Sequence, residues 1–246
     1  MGLMPQKTFE DLLGTSNPDT DAYRVYKTLR RDIRNGLIPP GQRLRTEWLK
    51  ETFGASTSPL REALARLNAE HYVAAEGKRG FRVTELSRKD YVSVTEMRDD
   101  LESSALRKSI ANRSEEWEAR VLLAHHALTK VRLDNYTELE NVERREERHR
   151  LFHLELISAC DSTWLLRVCD HLASHAERYN RVILKNAQLP PSYYERVDSE
   201  HRRLFELAMD GQAEPAIDLL RSHRQRSYNA VLRGLEHPGE RPVIAA

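Results

Sequence analysis

From residue 87 onward the chain offers six successive stretches whose apolar residues recur at three- and four-residue spacing, and no convincing strand. That pattern restricts the region to a helical architecture, and the short breaks between stretches favour antiparallel neighbours in a bundle. The spacing predicts helices over about 88–112, 114–133, 136–160, 162–188, 192–210 and 212–235. Their breaks fall at Asn112-Arg113-Ser114, Asp134-Asn135, Asp161-Ser162, Leu189-Pro190-Pro191 and Asp210-Gly211. Ser87 and Asp90 supply a cap and an acid three residues on for the first of them. The charged run Glu143 to Arg150, ERREERHR, reads as a solvated helical face.

The front of the chain is built differently. Residues 1–20 mix Pro, Gly, Asn, Ser and Asp without lasting periodicity and read as a flexible N-terminus. A helix is expected over 21–35, capped by Thr20 or Asp21 and ended by Asn35-Gly36. Leu37 to Leu44, LIPPGQRL, is a turn, because Pro39-Pro40-Gly41 does not continue a helix. A short helix, about 46–53, turns Trp48, Leu49 and Phe53 inward. Gly54 ends it, and the stretch GASTSPLREALARL begins a third helix. Ser56, Thr57 and Ser58 offer capping oxygens, Pro59 suits a first turn, and Leu60, Ala63, Leu64 and Leu67 make one apolar stripe. Then Tyr72–Ala75 and Phe81–Thr84 flank Glu76-Gly77-Lys78-Arg79-Gly80 as two strands and a basic tip. Three helices followed by such a hairpin outline a winged helix-turn-helix over 21–86, its third helix suited to a major groove and its tip to phosphates.

Charge follows the same division. Net charge is only +1. Between Ala22 and Val83, however, thirteen Lys/Arg face six Asp/Glu, whereas from Thr84 on twenty-five face twenty-eight. A basic head on a mildly acidic body suits a polyanion-binding module joined to something else. No apolar run approaches the ~20 residues that span a bilayer, and MGLMPQKTFEDLLG has no signal-peptide layout. Cys160 and Cys169 are the only cysteines. They read as buried free thiols of a cytoplasmic protein. The tail 237–246, HPGERPVIAA, is expected to be loose.

Eight of ten histidines lie between His125 and His223. His149 and His153 are four apart, so their rings share one helix face. His201 and His223 lie ten residues before and twelve after Gly211, so an antiparallel pair brings them to nearly one level. Four imidazoles from three helices would suit a divalent transition metal, with zinc as the default. Scattered polar histidines on charged helices are the alternative that spacing leaves open.

Two further sets of residues carry a resemblance. Ile33…Gly36…Ile38…Pro40-Gly41…Leu44, Ser58-Pro59-Leu60-Arg61-Glu62-Ala63-Leu64…Leu67 and Gly80-Phe81-Arg82-Val83 resemble a GntR-type DNA-binding domain. Arg98…Leu101-Glu102, Phe152-His153, His201 and His223 resemble the FCD effector domain of the FadR branch of that family. The resemblance implies that Arg61 contacts DNA and that Ser56, Thr57 and Ser58 sit where the helix meets the duplex, with Arg45, Lys78 and Arg79 as phosphate or groove contacts. Thr57 stands where the family usually has an arginine, which removes a bidentate base contact of about 1–3 kcal/mol and points to a non-standard operator. His153, His201 and His223 fall where the family's metal-binding histidines lie, and His149 stands where it normally has aspartate. The loss of that charge shifts metal preference toward zinc, nickel or cobalt, or calls for an anionic ligand. An organic acid beside the metal is implied as effector, with Arg98, His175 and Arg178 as candidates to bind it.

The expected protein is therefore mainly α, with a winged helix-turn-helix at 21–86 and an antiparallel bundle of about six helices at 87–236 for metal or effector binding and dimerisation. Its expected function is that of a ligand-responsive transcription regulator, a repressor and a homodimer on double-stranded operator DNA, modulated by a small carboxylate. A metal sensor without an organic effector is one alternative. A metal-dependent hydrolase is a weaker one: Arg150 follows His149 where the zinc-protease motif needs its glutamate base, and no nucleophile has a signalled partner. Catalysis is not expected.

Overall fold

The computed structural model describes residues 20–131, 139–184 and 191–237. The expected N-terminal segment, most of the tail and the breaks at Asp134-Asn135 and Leu189-Pro190 lie outside them. Helix α1 (Asp21–Arg34) starts where Thr20 Oγ1 accepts from the Tyr23 amide. Its stripe of Ala22, Val25, Tyr26, Leu29 and Ile33 is buried. Gly36 then takes a positive φ of 68°, and a Cβ there would lie 3.1 Å from Val182 Cγ2, so the turn needs glycine for both its conformation and its close approach.

Strand β1 (Arg43–Leu44), helix α2 (Thr46–Phe53) and helix α3 (Thr57–Ala69) follow. Gly54 closes α2 in the left-handed region, as a C-terminal glycine should. Leu60, Ala63, Leu64 and Leu67 of α3 pack onto α1. Strands β2 (Val73–Ala75) and β3 (Phe81–Val83) form the wing, joined through a short turn of 3-10 helix at Gly77–Arg79. The sheet order is β1-β3-β2, antiparallel throughout, with Arg43 opposite Arg82 and Val73 opposite Val83. The segment expected as a plain turn thus supplies a third strand. Two residues are too few to show alternation, and the pairing partners lie 37 and 39 positions away in sequence.

The body comprises α4 (Arg88–Ala111), α5 (Glu115–Thr129), α6 (Leu139–Leu156), α7 (Thr163–Leu184), α8 (Pro191–Met209) and α9 (Ala213–Glu236). Helix α7 packs against α4 and α9, α5 against α6 and α8, and α9 against α4 and α8. One apolar core gathers residues from all six helices, among them Leu106, Trp117, Phe152, Cys169, Leu204 and Leu220. Helix α6 stops at Leu156, short of the expected residue 160, and the chain turns through Ile157–Cys160 before α7. Both cysteines are buried and free.

The run Glu143–Arg150 is not the solvated face expected from its charge. Arg145 is buried and donates to Asp198 Oδ1 at 2.5 Å, Arg148 donates to the Ala127 carbonyl, and Arg150 pairs with Asp170. Charged side chains here reach partners on α5, α7 and α8, which a reading of one helix alone does not reveal.

Trp117 is fully buried and its Nε1 donates to the Glu155 carbonyl at 2.9 Å. Trp117→Ala should lower the unfolding free energy by about 3–5 kcal/mol, measured as a shift of the urea midpoint at unchanged slope.

Candidate metal centre and nucleic-acid interface

Helix α6 presents His149 and His153 one turn apart, α8 presents His201 and α9 presents His223. One ligand atom from each lies within 4.8 Å of all the others. His153 Nε2 is 3.1 Å from His149 Nε2 and 3.3 Å from His201 Nε2. A tetrahedral zinc with Zn–N bonds of about 2.0–2.1 Å sets its nitrogens about 3.3 Å apart, so these separations suit a shared cation. The chemistry agrees: a ring nitrogen has one proton or one lone pair, and His153 Nε2 faces two other ring nitrogens at once.

Protonation does not resolve that crowding. Burial pushes His149, His153 and His201 well below the usual imidazole range, and neighbouring rings and the Arg145 and Arg98 guanidiniums add to it. His223 is also lowered by burial, although Glu200 opposes the shift. Neutral imidazoles are the form that binds metal. The Nδ1 of His223 donates to Glu200 Oε2 at 2.8 Å, which leaves its Nε2 as the ring's free donor atom.

Arg98 is mostly covered beside this cluster but is engaged: its Nε donates to Glu102 Oε1 at 2.6 Å. Glu102 also accepts from Arg224 at 2.7 Å, and Arg224 lies 3.0 Å from Asp99. An incoming carboxylate would therefore compete with Glu102 for Arg98.

His175 and Arg178 stand elsewhere, which corrects the expectation that they line this pocket. His175 Nε2 donates to the Glu70 carbonyl at 2.8 Å and its ring stacks on Tyr72 with centroids 4.8 Å apart. Arg178 donates to Thr84 Oγ1 at 2.6 Å and to the Thr84 carbonyl at 2.5 Å. Both hold the head against α7. Periodicity placed them on one face of α7 but did not say that the head covers that face. Arg30 (to Ser174 Oγ, 3.2 Å) and Arg181 (to Asn35 Oδ1, 2.5 Å) complete this seam and have no sequence motif of their own.

In the head, Ser56 is the N-cap residue of α3 without a side-chain capping bond, and Ser56, Thr57, Ser58 and Arg61 are exposed. The first turn of α3 carries no acid, so its amide dipoles and hydroxyls are open to an anion. Arg45 is exposed at the start of α2, and Arg79 is exposed on the wing turn; the Lys78 side chain lies outside the description. Arg66 is exposed but folds over α1, its guanidinium 4.0 Å from the Tyr26 ring centroid. Arg82 braces the wing through Glu76 and the Gly41 carbonyl, both at 2.6 Å.

Burial pushes His175 from 6.5 down to about 4. Its folded form is thus neutral while the unfolded form takes a proton, so its contribution to stability is intact above about pH 6.5 and declines as pH falls toward 4. His175→Phe should be less stable than wild type at pH 8, and the gap should narrow steadily below pH 6.5 in thermal melts of metal-free protein.

Comparison with known proteins agrees with this two-part construction. Residues 22–83 match the model of the bacterial regulatory proteins of the gntR family, and residues 93–226 match the FCD domain. The chain is 36% identical over 210 residues to the HTH-type transcriptional regulator BphR of Paraburkholderia xenovorans, covering 84% of this chain and 83% of that one. It is 29% identical over 198 residues to the HTH-type transcriptional repressor GlaR of Escherichia coli, covering 80% and 90%. The fold is similar to that of E. coli McbR/YncC, with a TM-score of 0.74 at 20% identity over 88% of this chain and 99% of the other. These relatives are regulators and not enzymes, and among the described residues no helix is long and apolar enough to cross a membrane. The chain belongs to the GntR family of DNA-binding transcriptional regulators, with an FCD domain as its body.

Proposed function

We propose that this regulator is a cytoplasmic homodimeric repressor whose body holds a divalent transition metal on His149, His153, His201 and His223, and whose hold on operator DNA is set by a small carboxylate bound at that metal. The convergence of four ring nitrogens from three helices carries this reading. Four neutral donors leave the metal's charge uncompensated in its first shell, so an anion completing the shell is favoured, and nitrogen donors suit zinc, nickel or cobalt better than magnesium or calcium. Repression is drawn from the E. coli relative described as a repressor.

A physical link supports control of the head by this site. Helix α6 carries His149 and His153 and, two turns earlier, Glu143, which accepts from Asn35 Nδ2 at 2.6 Å. Asn35 caps α1 and also takes the Arg181 bond from α7. A small shift of α6 on ligand binding therefore reaches the end of the head's first helix directly. The effector acts only through differential affinity for the two placements of the head. A second reading, a sensor of the metal itself, draws on the fact that four protein donors suffice to close a tetrahedral site.

Untagged protein should contain about one transition-metal equivalent per chain, and His153→Ala should lose it, by elemental analysis; wild type that takes up no metal from zinc solution sinks the reading. Release of DNA by carboxylates at constant metal content separates acid sensing from metal sensing. Arg61→Ala should weaken operator binding without changing metal content, and the wild-type affinity should fall steeply with salt; an unaltered affinity removes Arg61 from the interface.

A further inference from the structure

The four histidines are not equivalent in what holds them. His223 alone donates its outer ring nitrogen to a carboxylate, Glu200 Oε2 at 2.8 Å; among the described residues no other acid hydrogen-bonds a ring of the cluster. His201 Nδ1 is buried without a partner. His149 and His153 are related to the rest by ring-to-ring contacts. Glu200 is the residue before His201 on α8, while His223 lies on α9. One peptide therefore carries a cluster histidine and the acid that orients another. Arg226, one turn beyond His223 on α9, pairs with the same Glu200 oxygen and helps to fix the carboxylate. The carboxylate is about five-sixths buried, so its charge is weakly screened by water.

We propose that Glu200 is a positioning residue of the metal centre: it selects the His223 tautomer whose Nε2 lone pair faces the metal, and it supplies the negative charge that His149, in place of an acid, does not. This rests on the metal-binding reading above. An acid hydrogen-bonded to a ligating imidazole fixes its ring and raises its basicity, and removing such a partner weakens metal binding by about 10- to 100-fold. Geometry and charge are separable. Glutamine keeps an acceptor for the His223 N–H and removes only the charge. Alanine removes both, frees the ring to rotate and leaves Arg226 without its partner.

The test uses full-length protein and two probes, zinc in competition with a chromophoric chelator and cobalt followed by its absorption bands. Glu200→Ala should weaken zinc binding by about 10- to 100-fold and Glu200→Gln by less, with the cobalt bands displaced in both. In a His223→Ala background, Glu200→Ala should have no further effect on zinc affinity, because the ring it orients is gone. Wild-type zinc affinity in Glu200→Ala overturns the proposal. So does an equal loss in the His223→Ala background, which would mark Glu200 as a strut between α8 and α9. A wild-type protein that binds neither zinc nor cobalt overturns the metal reading and this one with it. Binding by wild type with no change in the variants overturns this one alone.

Discussion

Helix α7 is buried on every side along its middle two turns, and the rest of the molecule is arranged about that fact. From Leu172 to Tyr179 eight consecutive residues are buried, although they include a serine, a histidine, a glutamate and an arginine. A helix buried all round usually reads as apolar all round. Here one side meets α4 and α9 through Ala176 and Tyr179, and the other meets the head through Ser174, His175, Glu177 and Arg178. Buried polar groups are tolerable only when satisfied, and α7 satisfies most of its own with the head's Arg30, Arg34, Glu70 and Thr84. Head and body thus fix one another's orientation through hydrogen bonds that have direction, whereas oily contact would allow sliding.

The same reasoning separates what the sequence declares from what it hides. The α3 stripe, the caps at Thr20 and Ser87 and the glycine stops are local, and each sits where periodicity and capping chemistry place it. The histidine cluster is nearly as legible, because two of its members are fixed by helical spacing and the other two by symmetry about the turn at Gly211. Strand β1 was hidden because its pairing is remote. ERREERHR misleads because charge indicates solvent only when no partner lies across the groove, and Arg145 and Arg150 have theirs on α8 and α7. His175 and Arg178 face the head and not the histidine cluster for a related reason: a helix has several faces, and only the packing of the head shows which one belongs to it. Glu200 carried no signal, since an acid beside a histidine is common and its meaning depends on α9.

A polar seam between head and body has a consequence for regulation. Contacts between domains of one chain resemble transient interfaces and yield to small energies, and coupling between ligand sites is typically 1–3 kcal/mol. The bonds at Asn35, Glu143 and Arg181 are of the kind that ligand-sized energies can break, each contributing on the order of 1 kcal/mol net, or somewhat more where a charged group takes part. An apolar interface as extensive as the body's own core would not respond to so little. Because α6 carries both His149 and Glu143, a displacement at the histidine cluster would reach Asn35 along one helix. Gly36, pressed against Val182, gives the turn after α1 little room to absorb the movement locally. The head would then respond as a unit, carrying α3, the helix suited to a major groove, with it.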